Sequence, residues 1–260
     1  MDKPFDFTMG SGPLLVSMPH VGTAVPGPIA ENMTPAGQSV IDTDWYVDRL
    51  YNFLDDLGAS VLTAKYNRYV IDLNRGPDGA ALYPGQNETE ICPTTSFENK
   101  ALYLDGKLPD EAEIKRRQKL YWQPYHDKIN QELNRIKEKF GFAILWDAHS
   151  IQCRVPRFFE GRLPDLNLGT ADGKSCEKSR AERLYDIARA SDYSAALNGR
   201  FKGGYITRTY GRPEQNIHAV QMEIAQVTYM DEAPALEFKA DRAEKLRPVL
   251  KSMLENLLLS

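Results

Sequence analysis

The sequence predicts an α/β protein, in which helices cover a central sheet. Short apolar runs typical of buried strands alternate along the chain with apolar residues at helical spacing. The composition, 42% hydrophobic and 26% charged residues, is that of a globular domain. No linker divides the 260 residues, so we expect one domain over residues 1–260.

The first half of the chain alternates predicted strands with irregular stretches and one helix. Glycines and prolines predict a loop over residues 22–37, and helical spacing of apolar residues predicts a helix over 42–57 that ends at Gly58. Residues 76–109 are again rich in glycine and proline, and an irregular stretch of this length is often functional. Predicted strands lie at residues 14–18, 60–64 and 69–73.

The second half contains the clearest buried strand, at residues 142–146, and Asp147 to Ser150 follow at its carboxyl end. Alternating apolar and polar residues predict a strand at 219–224, and the glycine pair before Tyr205 favours a strand at 203–207. Predicted helices lie at residues 110–139, with an interruption at Pro124, at 177–190 and at 236–259.

Charge and composition exclude several classes of protein. The net charge of −4 gives no basic surplus, so we expect no nucleic-acid partner. No run approaches the roughly 20 apolar residues that span a bilayer, and the first residues lack the pattern of a secretory signal peptide. Three widely spaced cysteines suit free thiols in a reducing compartment. We therefore expect a soluble cytoplasmic protein.

Two of the four histidines, His20 and His149, directly follow predicted strands. The carboxyl ends of strands form the ligand crevice of open α/β sheets, so these imidazoles can converge there. Together with one carboxylate they would give the open three-ligand site of a catalytic zinc. A histidine at such a position is otherwise a hydrogen-bonded loop residue. The carboxylate candidates are Asp42, Asp44, Asp48, Asp147 and Glu223.

Other polar residues predict chemistry beside such a site. Glu223 lies between apolar neighbours on a predicted strand, where burial raises a carboxyl pKa and suits it to proton transfer, although a structural ion pair is the alternative. Arg75 and Arg208 carry guanidinium forks that match a substrate carboxylate, or they are surface arginines. His218 lies near Glu223 in sequence and is a candidate for the same crevice.

Five segments follow one another along the chain: SMPHVG at 17–22, DTDWYVD at 42–48, YVIDLNR at 69–75, DAHS at 147–150 and NIHAVQMEI at 216–224. In this order they resemble the N-formylglutamate amidohydrolase family. The resemblance implies a three-layer α/β/α fold with a mixed central sheet, similar to zinc carboxypeptidases. It also implies metal-dependent hydrolysis of N-formyl-L-glutamate to formate and L-glutamate in histidine degradation.

By the same resemblance, zinc or another divalent metal is bound by His20, Asp44 and His149, and Glu223 is the general base. Asn74 and Arg75 bind the small acidic substrate, with Arg208 and His218 as further candidates. Two other interpretations stay open. One is a metal amidohydrolase of a different N-acyl amino acid, and the other is a non-catalytic protein that binds an acidic metabolite.

Overall fold

A seven-stranded mixed sheet is the centre of the protein in the computed structural model, which describes residues 3–80 and 87–259. A separate two-stranded ladder pairs β8 (Met230–Asp231) with β9 (Glu237–Phe238). The strands of the large sheet are β1 (Phe5–Thr8), β2 (Leu14–Met18), β3 (Ser60–Ala64), β4 (Ala143–Ile151), β5 (Leu166–Gly169), β6 (Ala195–Leu197) and β7 (Ile217–Ala225).

The strand order is β1-β3-β2-β4-β7-β5-β6. The four central strands β3, β2, β4 and β7 are parallel, so their carboxyl ends meet at one edge. β1 runs antiparallel to β3 and β5 runs antiparallel to β7, while β6 is parallel to β5. This order places the carboxyl ends of β2, β4 and β7 side by side.

Helices flank both faces of the sheet. The chain order is α1 (Gly27–Ala30), α2 (Pro35–Gln38), α3 (Val47–Leu50), α4 (Glu111–Arg117), α5 (Gln123–Phe140), α6 (Lys178–Arg189), α7 (Tyr205–Tyr210) and α8 (Ala240–Leu258). A π-helical turn (Gln118–Trp122) joins α4 to α5 ahead of Pro124, which lacks the N–H that a continuous helix would use.

Side chains on the central strands alternate between two hydrophobic layers. Val16 and Trp146 pack on the face covered by α3, α6 and α8. Leu15 and Leu145 pack on the opposite face, under α5 and α7. The sheet is thus buried on both sides, which explains why these strands read as continuous apolar runs. The predicted α/β/α fold with a mixed sheet is confirmed.

Three element predictions were wrong, and local hydrogen bonds explain two of them. Residues 69–73 form a turn rather than a strand, because Asn67 Oδ1 accepts from the Tyr69 N–H (3.0 Å) and Asp72 Oδ1 accepts from the Asn74 N–H (2.9 Å). Residues 203–207 lead into α7 instead of forming a strand, because Asn74 Oδ1 accepts from the Ile206 N–H (2.9 Å) in its first turn.

The predicted helix over 42–57 is the third of these. Only α3 and a 3₁₀ turn at Asp55–Leu57 are helical there. The Asp44 N–H donates to the His20 carbonyl (3.0 Å), and Tyr46 adopts a φ of +60° that breaks the helical path. The segment 42–46 therefore folds back onto the loop after β2.

None of the helices in the described residues is both long enough and apolar enough to cross a membrane.

Candidate metal centre and active-site cavity

The face of the sheet under α5 and α7 changes from apolar to polar toward the carboxyl edge. On β4, Ala143 and Leu145 belong to the hydrophobic layer, and the next two residues on that face are Asp147 and His149. Because β4 and β7 are paired in parallel register, the polar residues of the two strands lie side by side. The same face of β7 carries, in order, Ile217, Ala219, Gln221 and Glu223.

His20, Asp44 and His149 converge at this edge, and all three are buried. One ligand atom of each lies within 4.8 Å of the others. Asp44 Oδ2 is 3.1 Å from His149 Nδ1 and 3.7 Å from His20 Nδ1. The two imidazole rings are 4.8 Å apart between centroids. The group could hold a metal ion, since imidazole nitrogen and carboxylate oxygen are the donors that zinc prefers.

The outer nitrogen of each imidazole faces a second polar group. His20 Nε2 lies 2.7 Å from Asp72 Oδ1, and Asp72 in turn accepts from Arg68 Nη2 at 2.7 Å. His149 Nε2 lies 3.2 Å from Asp147 Oδ1 and 3.1 Å from Asn74 Nδ2. Carboxylates behind the ligating histidines fix the ring orientation and leave the inner Nδ1 atoms for a cation. The arrangement therefore fits a divalent metal.

The charges around the group favour a positive ion between the rings. Burial lowers the pKa of His149, but Asp147 and Asp44 outweigh it and hold the pKa well above its usual value. Burial and Arg68 lower the pKa of His20 despite its carboxylate neighbours. Burial would raise the pKa of Asp72, yet Arg68 and His20 keep it well below the usual range. Asp72 thus stays ionised behind His20.

Glu223 lies beside this group without being part of it. Residue pairing in the sheet sets Glu223 directly opposite His149. Gln221 Nε2 donates to Glu223 Oε2 (3.0 Å), and the Gly204 N–H holds Gln221 by donating to its Oε1 (2.6 Å). Burial raises the pKa of Glu223, His149 lowers it, and Asp44 raises it further, with a net upward shift. A carboxyl group of raised pKa in a cavity is suited to proton transfer.

Asn74 is fixed by the start of α7. Its Oδ1 accepts from the Ile206 N–H (2.9 Å), which directs Nδ2 toward His149. The approach is so close that a Cβ on Gly204 would lie 2.2 Å from Asn74 Nδ2. Gly204 is therefore required for α7 to close over Asn74.

These residues share a cavity of about 590 Å³ that opens to solvent. Three arginines contribute to its described wall, Arg68, Arg75 and Arg200. The described part of the predicted 76–109 loop also contributes, at 87–89 and at Phe97. Residues 81–86 of that loop lie outside the described residues. Arg75 and Arg200, beside the His20–Asp44–His149 group, make this part of the cavity suitable for an anionic ligand.

Two predicted substrate contacts are not brought to this wall. Arg208 is exposed on α7, its Nε donates to the Gly203 carbonyl (2.7 Å), and it is not among the described residues that line the cavity. His218 lies at the amino end of β7 and lines a different hollow with Glu177 and Arg180. His218 is five residue steps from Glu223 along β7, at about 3.3 Å per step, so the structure does not bring it to this cavity.

The alternative carboxylates also lie elsewhere. Asp42 Oδ2 accepts from the Tyr69 hydroxyl and from the Phe97 N–H (2.7 Å). Asp42 therefore joins its own segment to the loops that contain Tyr69 and Phe97. Asp48 is exposed on α3. Asp147 lies behind His149 rather than between the rings. Of these candidates, only Asp44 lies between the two imidazoles.

Sequence reasoning missed four residues of the site: Arg68, Asp72, Arg200 and Gln221. Arg68 and Asp72 stand four apart in the 66–75 segment, a spacing that could have suggested an ion pair. Gln221 shares the strand face of Glu223, which period-two alternation could have shown. Arg200 follows a short edge strand and carries no sequence signal.

Comparisons with known proteins identify relatives of this chain. N-formylglutamate deformylase of Pseudomonas aeruginosa is 49% identical over 259 residues, covering 99% of this chain and 97% of the relative. The protein of the same name from Pseudomonas putida is 48% identical over the same coverage. The crystal structure of N-formylglutamate amidohydrolase from Ralstonia eutropha JMP134 superposes with a TM-score of 0.83 at 26% identity, covering 98% of this chain and 97% of that one.

The family model described as N-formylglutamate amidohydrolase matches residues 12–230, a span that contains all five resembling segments. With relatives near half identity over almost the whole chain, the resemblance seen in the sequence is confirmed. The chain belongs to the N-formylglutamate amidohydrolase family.

Proposed function

We propose that the chain hydrolyses the formyl amide of N-formyl-L-glutamate to formate and L-glutamate, with zinc held by His20, Asp44 and His149. The observation that carries the proposal is the convergence of these three buried side chains beside Glu223 in one cavity. The names of relatives at 49% and 48% identity support the substrate.

The donor set supports a divalent metal. Two imidazoles and one carboxylate leave a coordination position for water, as in catalytic zinc sites. When bound, such a metal would supply Lewis acidity, which polarises the formyl carbonyl and acidifies the attacking water.

The chain's own residues perform the proton transfers and the positioning. The Glu223 carboxylate accepts a proton from the attacking water, and the same proton is then delivered to the departing amine nitrogen. Gln221 holds one oxygen of Glu223, so the other oxygen is directed at the reacting atoms. Arg75, with its Nε bonded to the Thr89 carbonyl (3.0 Å), binds a substrate carboxylate and orients the amide.

The test is an assay of the metal-loaded chain on N-formyl-, N-acetyl- and N-succinyl-L-glutamate, with formate measured for the first. We expect rapid turnover of the formyl substrate, sensitivity to chelators, and about one metal ion per chain by elemental analysis. Preference for another acyl group would identify an amidohydrolase of a different N-acyl amino acid. Binding of glutamate without turnover of any of the three, and without metal, would identify a binding protein.

We further propose that the reaction belongs to histidine degradation and takes place in the cytoplasm. Formation of glutamate and formate from a formylated amino acid is the step that the family resemblance implies. The three cysteines, Cys92, Cys153 and Cys176, are free thiols, which supports a reducing compartment.

A further inference from the structure

One of the three arginines in the described wall, Arg68, is bound by carboxylates of the candidate metal centre. Arg68 is paired with Asp72 at 2.7 Å and lies 3.9 Å from Asp44. Its charge is therefore balanced by these two carboxylates of the candidate metal centre. Arg75 and Arg200 are the other two arginines of the described wall. The acidic residues of the same wall are Asp44, Glu88 and Glu223.

Arg75 and Arg200 are anchored in the same way. Arg75 Nε donates to the Thr89 carbonyl (3.0 Å), and Arg200 Nε donates to the Phe158 carbonyl (2.7 Å). A hydrogen bond through Nε fixes the guanidinium plane and places the two terminal nitrogens at its far edge, where they can donate to a carboxylate. In Arg75 these nitrogens also donate at long range within the protein, Nη1 to the Asn74 carbonyl (3.5 Å) and Nη2 to Thr89 Oγ1 (3.4 Å). The Arg200 guanidinium also lies over the Phe201 ring, at 5.3 Å from the centroid.

The two arginines come from different parts of the sheet. Arg75 follows Asn74, whose amide lies 3.1 Å from His149, so it is attached close to the reacting centre. Arg200 follows β6, the last strand of the sheet order, on the opposite side of the β4–β7 pair from β2 and β3. Apolar Phe158 and Phe201 line the cavity beside it.

N-formyl-L-glutamate carries two carboxylates at unequal distances from the scissile bond. The α-carboxylate is on the carbon that bears the amide nitrogen, and the side-chain carboxylate is two methylenes further away. We propose that Arg75 binds the α-carboxylate and that Arg200 binds the side-chain carboxylate, so that Arg200 selects acidic N-formyl amino acids. This assignment rests on the proposed function. The phenyl rings beside Arg200 provide an apolar wall for the methylenes.

The test pairs two variants with two substrates. N-formyl-L-glutamine has the size and shape of N-formyl-L-glutamate but lacks the side-chain charge. For Arg200→Met we expect kcat/KM to fall about 100-fold on the glutamate substrate, as expected when one partner of a buried charge pair is truncated. On the glutamine substrate we expect little change. Arg75→Met should lower kcat/KM on both substrates, because both retain the α-carboxylate.

Two controls make the outcomes decisive. Arg200→Lys, which keeps the charge, should recover part of the selectivity, and Arg189→Met, an exposed arginine on α6, should match the wild type on both substrates. An equal loss on both substrates for Arg200→Met would show that Arg200 only supports the cavity. No loss on either substrate would show that it does not meet the substrate at all.

A calorimetric arm separates this proposal from the proposed function. If the metal-loaded wild type hydrolyses neither substrate, the proposed function fails. Binding of L-glutamate and L-glutamine to the wild type and to Arg200→Met then decides the Arg200 assignment. Loss of the preference for L-glutamate in the variant supports the assignment, and an unchanged preference overturns it.

Discussion

The two ends of β7 each carry a titratable side chain beside a hollow, but only at the carboxyl end do several functional side chains come together. At the carboxyl end Glu223 lies opposite His149, with Asp44 and His20 close by. At the amino end His218 accepts a hydrogen bond from the Glu177 N–H (3.3 Å). Burial does not distinguish the two ends, since Glu223 is 6% exposed and His218 is 5% exposed. What distinguishes the two ends is that carboxylates contact a histidine at the carboxyl end, as Asp44 and Asp147 contact His149.

The largest effect on activity is expected from replacing His20 or His149, the two histidines of the candidate metal centre. His20→Ala and His149→Ala each remove one of two nitrogen donors and leave a buried carboxylate without its partner, so metal content and activity should both be lost. His218→Ala, the matched change at the other end of the sheet, should retain both. Elemental analysis and formate release measure the difference. Full metal content in His149→Ala would contradict the comparison.

The second largest effect is expected from replacing Glu223, the proposed base, which should lower activity but leave the metal bound. Glu223→Gln keeps the side chain's shape but cannot accept the proton, so kcat should fall about 1000-fold. Metal stoichiometry should not change, because Glu223 is not one of the three converging donors. The matched variant is Glu177→Gln, a half-exposed glutamate near His218, with activity like the wild type. Near-normal turnover in Glu223→Gln would remove its assignment as base.

A smaller effect, on metal affinity, is expected from replacing Asp72, which contacts His20 on the side away from Asp44. Asp72→Asn removes the carboxylate behind His20 and leaves Arg68 without its 2.7 Å partner. Metal affinity should fall about 10- to 100-fold, as is usual for groups that orient a ligating histidine. Competition with a chelator measures it. Asp42→Asn is the comparison, because Asp42 is equally buried but contacts Tyr69 and Phe97 instead. Equal losses in both variants would indicate general disruption.

These comparisons also show how far sequence reasoning reaches. The buried strands β2 and β4 were predictable from apolar runs and β7 from alternating apolar and polar residues, and the polar residues at their carboxyl ends follow from that placement. The short strand β5 and the edge strand β6 were not predicted, because four and three residues carry too little periodicity.

The parts of the site that escaped prediction depend on loops. Asp72 reaches His20 only because residues 69–73 turn instead of extending, and that turn is built from side-chain hydrogen bonds that compete with a strand. Arg200 is held at the cavity by its hydrogen bond to the Phe158 carbonyl, and no pattern in the sequence predicts this contact. Arg208 looked equally suitable in sequence, yet the helical turn of α7 leaves it exposed.

The smallest effect concerns His126, another buried histidine, whose described hydrogen-bond partners include no carboxylate. Its ring stacks on Trp122 (3.7 Å between centroids), Nε2 faces the Leu73 carbonyl (2.9 Å) and Nδ1 faces the Tyr210 hydroxyl (3.0 Å). Burial lowers its pKa to about 3. The unfolded chain, with a histidine pKa of about 6.5, therefore binds the proton more readily than the folded chain between these two values.

Folding stability from His126 is thus fully present above the unfolded pKa and is lost as pH falls toward the folded one. From about pH 7.5 to about pH 5 this residue should reduce the free energy of unfolding by about 2 kcal/mol. Urea unfolding of the wild type and of His126→Gln over this range measures it, and the variant should show a shallower pH dependence. Identical slopes would mean that His126 takes up a proton in the folded protein, and that burial without a carboxylate does not keep a histidine neutral here.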